Sequence, residues 1–244
     1  MNVGSPLRFL KTPAMLRAMK TSRFVPIALS SVLAGLLFAL PTSLLAIDPP
    51  DTSGPGWKDL FAKDLSDSVQ PNKWSWKDGE LVAGDHGTLW TKESYGDFIV
   101  DLDFKVAKES NSGVFLHSWD IKNVLGCLEI QVHENTDGTK YGMVAAIYDA
   151  LPPTKAMQKP VGEWNHFTIT CKGSLVIVVF NGEEVIHADL DKWTEKGMNP
   201  DGTKNKFPKP LKDYEGPGPV GLQGLHGKAQ APVWYKNLRI KRLD

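Results

Sequence analysis

Cysteine is scarce in this 244-residue chain: Cys127 and Cys171 are its only two. Two thiols cannot build the disulfide frame of a small stapled domain, and no His/Cys array with zinc spacing accompanies them. Cys127 falls on the polar side of its expected strand and Cys171 on the core side of another. A bond between them is geometrically awkward, so both are expected as free thiols. Positive charge is not concentrated either. Lys and Arg number 28, as do Asp and Glu, and beyond the first segment no basic run or patch points to nucleic acid as a partner. After residue 46 no apolar run is long enough to span a membrane. No stretch of twelve or more residues keeps a helical period, and there is no internal repeat or low-complexity tract.

Residues 1–46 have the order of a secretory signal. Arg8, Lys11, Arg17, Lys20 and Arg23 form a basic start without an acid. An apolar run follows from about Pro26 to Leu40, then Pro41-Thr42-Ser43-Leu44-Leu45-Ala46. This predicts cleavage after Ala46 and a periplasmic or secreted protein with no membrane attachment once the signal is removed. No Cys near the cut suggests a lipid anchor. Removing 46 of 244 residues leaves 198, enough for one domain with a sizeable core. Five of the 28 basic residues and none of the 28 acids leave with the signal, so 23 face 28 and the mature charge is −5. Residues 47–56 read as a linker and 57–244 as a single domain.

Short alternating segments fill that domain. Phe98, Val100, Leu102 and Phe104 alternate with polar neighbours, as side chains two apart share one face of a strand. Val114–Ser118 is expected to follow a turn at Asn111-Ser112-Gly113. Further strands are predicted over Leu125–His133, Trp164–Cys171, Leu175–Phe180, Glu183–Ala188, Val220–Gln223 and Val233–Arg242. Asn181-Gly182 is the strongest hairpin signal. This is the pattern of a two-sheet, all-β sandwich. Two long connections stand out, Tyr141–Pro160 and Asp191–Pro219, and the second is expected to lie beside the site and help close it.

The most informative stretch is Glu129-Ile130-Gln131-Val132-His133-Glu134. Ile130 and Val132 enter the core, which leaves Glu129 and Gln131 together on the opposite face. Glu134 has the wrong parity unless a β-bulge at His133 turns it to the same side. Phe115, His117 and Trp119 are expected to share the polar face of the Val114 strand, with His117 as a base, ligand or donor. Gln223 points away from Val220 and Leu222, and Gly224-Leu225-His226-Gly227 sets a His on a tight turn at a strand end. Lys92 contributes only if its loop folds over the Glu129 face. All eight Trp residues lie after residue 46; indole faces stack on sugars, although most such residues end in cores.

These stretches carry a resemblance. Gly56-Trp57-Lys58-Asp59-Leu60-Phe61, Thr91–Phe98, Asn111–Leu116, Glu129-Ile130-Gln131-Val132, Gly162-Glu163-Trp164-Asn165, Asn181-Gly182, Gly221–Gly227 and Asn237–Lys241 occur in the order of the bacterial 3-keto-disaccharide hydrolase family. The chain resembles that family over nearly its whole mature length, with His117 standing where many relatives carry Arg. The resemblance implies a concanavalin A-like jelly roll and activity on a small carbohydrate oxidised at C3. Such chemistry needs a base, a proton donor and a group that stabilises an enolate. Glu129 is the candidate base or metal ligand, and His226 and His117 are candidate acid/base or ligand residues. Lys92 is the candidate for the enolate oxygen. Gln131 and Gln223, with Trp119 and Glu134, are candidate substrate contacts. A divalent metal could act as a Lewis acid, but no ligand motif demands one. Two other readings fit part of the pattern: a retaining β-glucanase using Glu129 and Glu134, and a lectin-like binding module on the same fold.

Overall fold

The computed structural model describes residues 52–69, 71, 73–134, 140–214, 216–226 and 231–244. The expected signal and the first residues of the linker lie outside the described residues. Among the described residues the strands are β1 (Trp57–Asp59), β2 (Ser68–Val69), β3 (Ser75–Lys77), β4 (Glu80–Val82), β5 (Leu89–Thr91), β6 (Phe98–Val106), β7 (Asn111–Leu116), β8 (Leu128–His133), β9 (Trp164–Lys172), β10 (Leu175–Phe180), β11 (Glu183–Asp189), β12 (Gly221–Leu222) and β13 (Val233–Arg242). The only helical turns there are short 3₁₀ segments, and no helix is long and apolar enough to cross a membrane.

The strands form two antiparallel sheets, the sandwich that the alternation predicts and the jelly roll that the resemblance implies. One runs β11-β10-β9-β6-β13-β4-β3, with β1 also paired to β13; the other runs β2-β5-β12-β7-β8. Between them lies one large core. Phe98, Val100, Leu102 and Phe104 of β6 and Phe167 and Ile169 of β9 belong to it from one side. Val114 and Leu116 of β7 and Leu128, Ile130 and Val132 of β8 belong to it from the other. Fully burying side chains of this size stabilises the fold by about 1.5–3 kcal/mol each. The Asn181-Gly182 turn joins β10 to β11 with both residues at positive φ, 50° and 88°, as a tight hairpin requires. Cys171 is in the core and Cys127, just before β8, packs with Trp90 and Phe115 on the outer side of the sheet, both buried and free.

One local expectation needs correction, and two further features go beyond the sequence reading. Asn111-Ser112-Gly113 is not a turn but the first half of β7, in register with His133, Val132 and Gln131. The long connection Tyr141–Pro160 holds no named strand, in keeping with its Pro152-Pro153, yet it is bonded to the sheet. Gln131 N–H donates to Ala146 O (3.0 Å), Ala145 N–H to Gln131 O (2.9 Å) and Tyr148 N–H to Glu129 O (2.9 Å), so this segment seals the free edge of β8. Five strands, β1 to β5, are only two or three residues long each, too brief to show alternation in the sequence.

Candidate active site

The outer face of the five-stranded sheet carries the candidate site. On β8, Glu129 and Gln131 point away from the core because Ile130 and Val132 point into it. On β7 the same parity presents Asn111, Gly113 and Phe115, directly across from His133, Gln131 and Glu129. Gly113 is required here: a Cβ on it would come within 2.8 Å of the Glu129 carboxyl carbon, so only glycine lets that side chain lie across β7. Below the polar row, Trp90 and Phe115 stack at 5.3 Å and pack with Cys127 into a small apolar floor.

Gln223 joins from the end of β12, its N–H donating to Gly113 O at 2.9 Å and its carbonyl accepting from the Ser112 hydroxyl at 2.6 Å. The turn after it is fixed by close backbone approach. A Cβ on Gly224 would sit 2.5 Å from both Asp85 O and Gly87 O, Leu225 N–H donates to Asp85 O, and the His86 ring bonds Leu225 O. This leaves His226 exposed at the cavity rim.

A cavity of about 250 Å³ opens over this face. Glu129, Gln131, Gln223 and His226 line it, as do Asn111, Tyr148, Lys206 and Phe207. Its wall is completed by Val124, Leu125 and Cys127. Lys206 and Phe207 come from the long Asp191–Pro219 segment, which therefore does border the site. That segment is held by Lys206 N–H on the Asp149 carboxylate (2.7 Å) and by Tyr214 O–H on Leu125 O (2.6 Å). Lys206 Nζ stands 3.3 Å from the Tyr148 hydroxyl, a contact that raises the lysine pKa.

Two electrostatic features define the cavity. Glu129 has no hydrogen-bond or ion-pair partner among the described residues, and burial alone pushes its carboxyl up to about 8. The amide oxygens of Asn111, Gln131 and Gln223 are likewise buried without a partner there. Unpaired buried acceptors are costly in a finished fold and are expected where a ligand supplies donors. Glu129 and His226 are the cavity's metal-capable side chains besides Cys127. Among the described residues no group of three or more His, Cys, Asp or Glu side chains gathers at one point.

Four sequence candidates lie elsewhere. His117 follows the end of β7 at φ 48°, which breaks the strand's alternation and turns its ring onto Phe98 (5.6 Å), with Nδ1 near Gly216 O (3.2 Å). Trp119 is half exposed and packs edge-on to Tyr214 outside the cavity. Lys92 Nζ donates to Ser66 O at 2.6 Å, and Lys92 does not line the cavity. No bulge forms at His133: β8 pairs regularly to its end, and Glu134 does not line the cavity. Sequence reasoning missed Asn111, Tyr148, Lys206 and Phe207. Asn111 shared the readable parity of Gly113 and Phe115, but the other three reach the cavity through irregular segments whose direction no periodicity encodes.

A cleft on one face of a jelly roll, lined by a carboxyl, three amides and aromatic rings, has the make-up of a site for a small polar ligand such as a sugar. The chain belongs to the family described as 3-keto-alpha-glucoside-1,2-lyase-like domain, whose sequence model matches residues 56–241. It is 26% identical over 223 residues to a 3-keto-disaccharide hydrolase of Bacteroides thetaiotaomicron, covering 78% of this chain and 75% of that protein. A crystal structure of a candidate glycosyl hydrolase from Parabacteroides distasonis matches with a TM-score of 0.72 at 37% identity, over 77% of this chain and 99% of that one. A second such structure from the same organism, 24% identical, shares the fold with a TM-score of 0.59, over 78% and 84% of the two chains. The family model and the curated relative support a glycoside-cleaving enzyme, and the two solved structures share its fold.

Proposed function

We propose that this protein is an exported enzyme that cleaves 3-keto-glycosides by elimination followed by hydration. The single observation that carries the reading is Glu129: a carboxyl with no partner among the described residues, poised near neutral pH, in a cavity lined with amide oxygens likewise unpaired there. A ketone at C3 acidifies the proton on C2. Glu129 takes that proton, and the electron pair moves into a C2=C3 enolate. The enolate collapses, restoring the ketone, forming a C1=C2 bond and expelling the group on C1. Water then adds across that bond, with its hydroxyl at C1 and its proton at C2. The net result is hydrolysis.

The role first considered for Lys92 falls to Lys206, the cavity's lysine. Its ammonium, beside the Tyr148 hydroxyl, supplies positive charge for the enolate oxygen. His226 at the rim, or Tyr148, protonates the leaving oxygen. Asn111, Gln131 and Gln223 hold sugar hydroxyls, each donating to one of the unpaired amide oxygens. A retaining β-glucanase mechanism needs a second carboxylate facing the first, and Glu134 does not line the cavity.

The test is product analysis with a 3-keto-disaccharide beside its unoxidised parent, with and without added divalent metal. Cleavage of the keto-sugar alone is expected. Cleavage of the parent would favour a conventional glycosidase, and binding without any cleavage a lectin-like module. Export is tested separately by N-terminal sequencing of protein from a native-like host, which should begin near Ile47; an intact Met1 on a cytoplasmic product would end that part.

A further inference from the structure

Among the described residues, Trp119 and Val124 are the two large hydrophobic side chains most exposed to solvent, each 50% accessible. They belong to one loop beside the cavity: Trp119 N–H donates to Gly126 O at 2.9 Å, which closes the loop between them. Val124 and Leu125 line the cavity, so the loop's apolar surface continues from the cavity wall outward. Trp119 is not a loose side chain. It packs edge-on to Tyr214 (6.5 Å), which packs edge-on to Phe207 (5.6 Å), itself a cavity residue. The Tyr214 hydroxyl also anchors Leu125 O at 2.6 Å. Lys209 Nζ lies 4.9 Å from the Trp119 ring centre and 4.8 Å from that of Tyr214, a cation braced against both rings.

An indole held in place by a row of aromatic contacts, yet half open to water, carries a cost that a core position would not. Its continuity with the cavity suggests what covers it. We infer that Trp119 and Val124 form the shelf on which the leaving group of the substrate rests: a second pyranose ring, presenting its apolar C–H face to the indole. The oxidised ring occupies the cavity, and its C1 bond points outward across Val124. Lys209, with its ammonium at the shelf edge, donates to a hydroxyl of that outer ring. This assignment rests on the glycoside-cleaving reading of the cavity and adds to it a binding position that sets leaving-group preference.

The experiment compares a 3-keto-disaccharide with the methyl glycoside of the same 3-keto sugar, which lacks an outer ring. The quantity read is the ratio of the two kcat/KM values. Trp119→Ala is expected to lower that ratio by about tenfold, the scale of one lost aromatic stacking contact. Trp119→Tyr should restore most of it. A ratio that stays at the wild-type value in Trp119→Ala overturns the shelf, as does an equal fall for both substrates. Calorimetric titration of the same two sugars into Glu129→Gln and into Glu129→Gln/Trp119→Ala reads the ratio without turnover. Should wild-type protein cleave neither sugar, the reaction reading fails, and the shelf then stands or falls on that binding ratio alone.

Discussion

The outer faces of the two sheets are built by the same alternation and end in opposite electrostatic states. On the eight-stranded sheet, Asp101, Asp103, His166, Thr168, Asn237 and Arg239 saturate one another. Arg239 Nε meets Asp101 at 2.9 Å, Thr168 donates to Asp101 at 2.9 Å and Asn237 to Asp103 at 2.7 Å. His166 bridges the two aspartates, at 3.1 Å from Asp101 and 2.8 Å from Asp103. Both carboxyls are held below their usual range, against the cost of burial, by these partners, with His166 foremost. On the five-stranded sheet, Glu129 has no partner among the described residues and three amide oxygens are unpaired. One face pairs its polar groups with one another, and the other leaves them unpaired among the described residues. A satisfied network marks structure, and a buried unsatisfied one marks a site.

The contrast is broken most directly at Glu129. Glu129→Gln should lower turnover of a 3-keto-disaccharide by roughly 10²- to 10⁴-fold while leaving substrate affinity far less changed. The wild-type kcat/KM should climb with pH toward about 8, since the carboxyl works as a base only when ionised. Folding responds with the opposite sign. The folded pKa lies above the unfolded one, so between pH 4.5 and about 8 the folded state holds a proton that the unfolded state has lost. Stability from this group therefore falls as pH rises through that window. Thermal melts of Glu129→Gln should gain on wild type between pH 5 and 9; a pH-independent difference would refute the assigned environment.

Asp101→Asn should do the reverse, weakening the fold by about 2 kcal/mol through loss of charge-assisted hydrogen bonds and leaving turnover unchanged. Denaturant melts and steady-state kinetics on one preparation would show it. A loss of activity without a loss of stability would place that network in the chemistry after all. Gln131→Ala and Gln223→Ala are each expected to cost about tenfold in kcat/KM, as one sugar hydrogen bond is worth, with little change in melting. The smallest effect belongs to His166, whose side chain is 41% exposed. Its pKa is raised to about 9 by Asp101 and Asp103. The stabilisation is complete below pH 6.5 and lost as pH rises through about 9. His166→Gln should cost up to ~1 kcal/mol at pH 6, a gap that closes above pH 9.

The legible part of the molecule is the part that period two can encode. Phe98 to Phe104, the β8 core pair Ile130 and Val132, and the outward pair Glu129 and Gln131 all sit where alternation puts them, because one buried face fixes register. The misread residues are those where alternation stops. His117 takes positive φ one residue past β7, where the strand's parity no longer holds. Glu134 needed an irregularity that the structure does not contain. Lys92 was positioned by a carbonyl 26 residues away in sequence, Ser66 O, which no local pattern reports. Lys206 and Phe207 lie in the long Asp191–Pro219 segment, whose place is decided by the bonds from Lys206 to Asp149 and from Tyr214 to Leu125.

The segment that seals β8 has a consequence for how the protein behaves as a population of molecules. Ala145 to Tyr148 simultaneously caps the last strand of the sheet and carries the Tyr148 hydroxyl into the cavity. Whatever loosens the cavity wall therefore bares the backbone of Glu129 and Gln131, a ready template for pairing with the same edge of a second chain. Loss of activity and onset of self-association are tied to one event, so variants that open this wall should be found first as precipitates and only then as poor catalysts.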